Sequence, residues 1–146
     1  MDSVDMKLLK MLSDDAHVSL RKMGREVGLS TSGVRRRVKQ LERSGLIKQY
    51  SALIDPQKFG YGVMAFVSID VDSRSMRELV SSLSRCHQVC ELHHTTGGHG
   101  LMLKVRARDV ENLKKFVDDR IQSFDSVKSV RTIVAMETIK ERLLNL

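Results

Sequence analysis

Seven residues between Ser30 and Arg43 carry the densest chemistry in the sequence: Ser30, Thr31, Ser32, Arg35, Arg36, Lys39 and Arg43. Cationic side chains at this spacing hold phosphate oxygens, and arginine can also donate two parallel hydrogen bonds to guanine O6 and N7. At ~100° per residue the basic positions fall opposite or beside an apolar stripe of Val34, Val38 and Leu41. A helix in a DNA major groove offers its N-terminal side chains to base edges, while its flanks meet phosphates. Ser30, Thr31, Ser32 and Arg35 or Arg36 are therefore candidate base-edge or groove contacts, and Lys39 and Arg43 candidate phosphate contacts. Arg37 stands apart. It lies between Val34 and Leu41 on the packing side and is expected to snorkel or to pair with an acid. A basic helix alone is equally a solvated face, so its context decides.

That context is a tight turn. An opening helix is marked by Val4, Leu8, Leu9, Met11 and Leu12 and ended by Ser13-Asp14-Asp15. A second, short helix runs from about Ser19 to Val27, with Leu20, Met23 and Val27 at i, i+3 and i+7. Gly28 ends it, because glycine tolerates the positive φ of a helix stop, and Ser30 is a good N-cap for the basic helix. Two short helices meeting at a glycine turn are the helix-turn-helix pattern. Leu46 to Ile54 is strand-like and suits a small wing or hairpin. Asp55-Pro56, Gly60 and Gly62 then mark residues 55–62 as a linker.

The second half alternates its periods. Val63 to Val71 reads as a strand covered on both faces. Ser75 with Glu78 three residues on has capping-box spacing and opens a helix carrying Val80 and Leu83. A strand over Val89–Thr95, a Thr96–Gly100 turn and a strand over Leu101–Ala107 follow. Asp109 caps a further helix, and a last strand spans Val130–Met136 before a tail with Leu143, Leu144 and Leu146. The fold class is α+β: a helix-turn-helix (winged-helix-like) domain over 1–54, then a βαββαβ ferredoxin-like plait over 63–146. Such a sheet carries helices on one face only, and a second subunit is the usual cover for the other.

Composition agrees with a phosphate-bearing partner. The chain of 146 residues has a net charge of +7 and a pI near 9.7. Residues 1–54 hold 11 Lys/Arg against 6 Asp/Glu, and the remainder 14 against 12, so the excess sits with the basic helix. No apolar run reaches the ~18 residues of a membrane span and no signal-peptide pattern opens the chain. Cys86 and Cys90 read as free thiols, and the expected compartment is the cytoplasm.

Cys86, His87, Cys90, His93, His94 and His99 crowd together, yet their spacing matches no standard zinc pattern, and no metal or cofactor is expected. The Thr96–Gly100 turn joins two strands and opens no helix, so it lacks the dipole that makes phosphate cradles. The eight methionines read as core filling. No nucleophile and base pair has sequence support, so no catalytic residue is assigned.

Taken together, Val4-Asp5-Met6-Lys7-Leu8-Leu9, the run Val27-Gly28-Leu29-Ser30 through Leu46-Ile47, and Val89-Cys90-Glu91-Leu92-His93-His94-Thr95-Thr96-Gly97 resemble the Lrp/AsnC (feast/famine) family. The family's Leu-Ala pair on the second helix appears here as Met23-Gly24, and its histidine at the position of His93 suits a structural role. The resemblance implies a transcription regulator that binds double-stranded DNA. It further implies a homodimer or higher oligomer built through the sheets, and a small effector, commonly an amino acid, bound between plaits near the glycine turn. That places effector contacts at Thr96, Gly97, Gly98, His99 and Gly100. The chain departs from the family there, with His99 and Gly100 where an aromatic residue and an aspartate are usual, which removes a carboxylate partner for an amino group. Lrp-like siroheme decarboxylases share both domains and make a tetrapyrrole enzyme the alternative. Such an enzyme has no need of a dense basic helix.

Overall fold

The computed structural model describes residues 1–97 and 100–146, and the chain groups into two compact units. The first comprises Met1–Leu53 with Arg142–Leu146, the second Ile54–Glu141.

In the first unit, α1 (Ser3–Asp14), α2 (Leu20–Val27) and α3 (Thr31–Arg43) bury Leu8, Met23, Val34 and Val38 in one small core. Each helix is stopped and started by local chemistry. Asp2 caps α1 in a reciprocal box with Asp5, and Ser19 caps α2 through the Lys22 N–H. Gly28 closes α2 at φ 70°, the left-handed conformation that glycine adopts without strain. The turn into α3 is tight. A Cβ on Gly24 would stand 2.5 Å from the Leu29 carbonyl oxygen, so the pairing of α2 with the turn is closer than any other side chain allows.

Two expectations change here. Leu46 to Ile54 forms no strand. The Leu46 and Ile47 amides donate back to the Leu41 carbonyl at 3.1 and 3.2 Å, and a β-rich segment without a neighbouring strand has no ladder to join. The tail leucines, read with the plait, all group with the first unit, where Arg142 pairs with Asp14 at 3.1 Å.

The second unit is a four-stranded antiparallel sheet in the order β2-β3-β1-β4. Its strands are β1 (Val63–Val71), β2 (Val89–His94), β3 (Leu101–Ala107) and β4 (Val127–Val134), with α4 (Met76–Leu83) after β1 and α5 (Val110–Val117) after β3. A π-helical turn, Asp118–Gln122, extends α5 and buries Ile121. Period-two alternation sends Ala65, Val67, Ile69 and Val71, with Leu101, Leu103, Val105 and Ala107, into one core with Leu79, Leu83, Leu113 and Phe116. The opposite face carries Met64, Phe66, Ser68, Met102, Lys104 and Arg106, and Phe66 pairs across the ladder with Ile133.

The capping box expected at Ser75 is absent. Ser75 already has helical backbone angles (φ −100°, ψ −1°) and makes no side-chain cap bond, while Asp72 accepts the Arg74 N–H at 3.0 Å. The last strand starts at Val127, three residues before its expected position.

Candidate nucleic-acid interface

Ser30 sets the start of α3. Its Oγ accepts the Gly33 N–H at 3.1 Å and lies 3.0 Å from Ser32 Oγ. The hydroxyl most directly at the helix tip is thus committed to the cap, which satisfies one orphan amide. Beyond it, Thr31, Ser32, Arg35, Arg36, Lys39 and Arg43 line a single open concavity of about 550 Å³. Six of the seven residues singled out for DNA contact therefore share one surface, and Ser30 holds that surface's end. Among the described residues of this unit, Arg35, Arg36, Lys39 and Arg43 have no ion-pair partner, so their charge is free for an external anion.

On the other side of α3, Val34, Val38 and Leu41 are buried. Arg37 sits beside them and donates from Nη1 to Asp2 Oδ2 at 2.7 Å and to Asp5 Oδ1 at 2.8 Å. Its hydrogen bonds to Asp5 and then to Asp2 raise the guanidinium's pKa further. The Asp2 carboxyl is held below its usual range first by the Asp5 N–H and then by Arg37. At the C-terminal end of α3, the Tyr50 hydroxyl donates to Glu42 Oε1 at 2.9 Å. Burial, reinforced by Glu42, pushes that hydroxyl up to about 12. The Asp2–Asp5 cap and the Tyr50 tie were not read from the sequence. The first had a signal, two aspartates three apart at a helix start; the second had none.

In the second unit, Thr96 and Gly97 follow β2, with Gly97 at φ 97°. The Thr95 N–H donates to the Gly100 carbonyl at 3.1 Å and closes the turn. A Cβ on Gly100 would meet Met76 Cε at 2.9 Å, so the thioether of α4 occupies the space beside this glycine. Gly98 and His99, the other two residues assigned to an effector, lie outside the described residues. Of the cysteine and histidine cluster, His93 Nε2 lies 3.3 Å from Glu91 Oε2. Cys86 Sγ donates to the Ser82 carbonyl and Cys90 Sγ to that of Gln88. Among the described residues no group of three or more His, Cys, Asp or Glu is placed to hold a metal ion. No helix among them is long and apolar enough to cross a membrane.

Comparison with known proteins gives this arrangement its kin. Residues 1–48 match the winged helix-turn-helix DNA-binding model and residues 64–144 the Lrp/AsnC ligand binding domain model. The chain is 33% identical over 141 residues to the HTH-type transcriptional regulator FL11 of Pyrococcus horikoshii, covering 97% of this chain and 93% of that one. It is 31% identical over 137 residues to the regulatory protein AsnC of Haemophilus influenzae, covering 93% and 91%. A transcriptional regulator of Neisseria meningitidis, solved as its L-Met complex, superposes with a TM-score of 0.93 at 26% identity, covering 98% and 94%. With both halves matched in order, and with relatives above 30% identity along nearly its whole length, this chain belongs to the Lrp/AsnC family of DNA-binding transcription regulators.

Proposed function

We propose that this regulator reads duplex DNA through the outward edge of α3. Thr31, Ser32, Arg35 and Arg36 meet the groove, Lys39 and Arg43 hold phosphates, and Ser30 caps the reading end. The observation that carries this is the shared surface of six of these side chains, with the cations lacking an internal partner. Phosphate contacts supply affinity that falls with salt, and base-edge contacts supply discrimination. Selection from random duplex DNA at moderate salt tests it: a recovered consensus supports the assignment, and enrichment of no sequence overturns it.

Residues 63–146, which up to Glu141 belong to the second unit, serve assembly and effector sensing in this proposal, with 55–62 as the linker. Phe66, Met102 and Ile133 leave 39%, 40% and 53% of their surface open on the sheet face without helices, which suits a second copy of the chain. The effector class is an amino acid, bound near Thr96, Gly97, Gly98, His99 and Gly100. The support is the ligand-binding family model and the methionine complex of the Neisseria relative. Met76, whose thioether lies beside Gly100, would offer an apolar surface to an apolar side chain there. Calorimetric titration with the apolar amino acids tests this, and heat from none of them overturns it. Because the named relatives are regulators, no catalytic step is assigned, and the cytoplasm is the proposed compartment.

A further inference from the structure

We propose that Arg37 is a positioning residue for DNA discrimination: its clasp on Asp2 and Asp5 fixes the roll of α3 about its own axis.

The apolar contacts of Val34, Val38 and Leu41 hold α3 against the core, but hydrophobic contact is non-directional and tolerates small rotations. Charge-assisted hydrogen bonds are directional. Arg37 supplies two of them from one nitrogen, at 2.7 and 2.8 Å, to carboxylates 35 and 32 residues away. Both acceptors are themselves fixed. Asp2 Oδ1 accepts the Asp5 N–H at 2.9 Å, and Asp5 Oδ2 accepts the Asp2 N–H at 3.1 Å, so the acceptor pair is the first turn of α1. The guanidinium therefore joins the middle of the reading helix to a rigid helix end. Arg35 and Arg36, on neighbouring positions but facing the open concavity, inherit their direction from that junction. Bidentate base readout depends on such direction, whereas phosphate attraction does not.

This inference rests on the proposed reading edge, and the experiment separates the two. The full-length chain and its Arg37→Gln, Arg37→Lys and Asp2→Asn variants are titrated with a selected duplex and a scrambled duplex of equal length. All measurements are made at a temperature where circular dichroism shows every variant folded. The readout is the ratio of the two affinities, which cancels the long-range effect of changing one charge because both duplexes carry the same phosphates. Arg37→Gln is expected to lower the ratio about tenfold, with the salt slope unchanged. Lysine, which keeps a cationic donor facing the two carboxylates, is expected to restore part of it. Asp2→Asn keeps an N-capping side chain but loses the charge, so it should lower the ratio as well. Combined with Arg37→Gln it should add nothing further. An unchanged ratio in folded Arg37→Gln, equal weakening on both duplexes, or losses that multiply in the double variant would each overturn the clasp. Alanine at Arg35 and Arg36 that leaves the ratio intact would instead overturn the reading edge, whatever Arg37 does.

Discussion

Arg106 on β3 and Glu141 beyond β4 are joined by an Nη2–Oε2 hydrogen bond of 2.8 Å, on the sheet face that α4 and α5 leave open. Lys104, two residues earlier and nearly buried, bonds both Glu141 and Glu91. Lys104 and Arg106 are thus matched by two carboxylates, one from the neighbouring strand and one from near the end of the chain, whereas Arg131, opposite Ser68 on the same face, has no ion-pair partner among the described residues. Beside these pairs the face presents Phe66, Met102 and Ile133 as exposed apolar surface.

The network predicts an acid-sensitive second unit. Hydrogen bonds from Lys104 hold both the Glu91 and Glu141 carboxyls below the usual glutamate range. Their contribution is therefore complete above the usual glutamate range and is lost as pH falls below it, through the lowered folded-state titrations. For Glu141, with 42% of its side chain exposed, screening limits the contribution to ~0.5–1 kcal/mol. Urea midpoints followed from neutral to acid pH should fall further for the native chain than for Glu141→Gln. Parallel curves would remove Glu141 from the network.

Charge placed in the apolar part of that face should block self-association. Phe66→Lys and Ile133→Lys are expected to weaken the dimer by tenfold or more, ~1.4 kcal/mol. Sedimentation equilibrium reads the change, with an unaltered circular dichroism spectrum confirming the fold. Dimers of native strength in the double variant would mean that copies meet elsewhere.

The small core of the first unit has little to spare. Leu8 is fully buried against Met23, Val34 and Val38, and Leu8→Ala is expected to cost ~2–5 kcal/mol. Thermal unfolding should show the first unit melting early while the plait keeps its transition. DNA binding should disappear with the first transition and not with the second.

What was legible in the sequence was what local spacing controls. Ser30, Gly28 and the Val34-Val38-Leu41 stripe set the ends and packing face of α3 without reference to anything distant. The βαββαβ order of strand-like and helix-like runs likewise pointed to the plait, although β1, read as covered on both faces, leaves Phe66 39% exposed on one of them. Arg37 could be assigned an acid but not Asp2 and Asp5, since those partners arrive only through tertiary folding, and Glu141 had no local signal toward Lys104 and Arg106. Leu46 to Ile54 has β-forming composition and still makes no ladder, because no strand lies beside it. At Ser75 the spacing to Glu78 was that of a capping box, but the backbone had already turned helical one residue early.

The tie between Tyr50 and Glu42 should appear in alkali. Burial, helped by Glu42, raises the Tyr50 hydroxyl from 10.0 to about 12. Its contribution is present below the unfolded value and is lost as pH rises through the folded one. Phenolate absorbance, taken as the difference from Tyr50→Phe, should titrate near the raised value. Glu42→Gln should move that titration downward, and an unmoved midpoint would show that Glu42 does not hold the hydroxyl.

The central assignment is the division of α3 into a reading edge and a phosphate edge, and paired titrations against salt test it most directly. Arg35→Ala and Arg36→Ala are to be compared with Lys39→Ala on a selected and a scrambled duplex. An arginine that reads a base should lose ~1–3 kcal/mol on the selected duplex alone, which shrinks discrimination. Lys39→Ala should weaken both duplexes alike and reduce the salt slope by about 1. Equal loss of discrimination from the arginine and lysine changes would contradict the division.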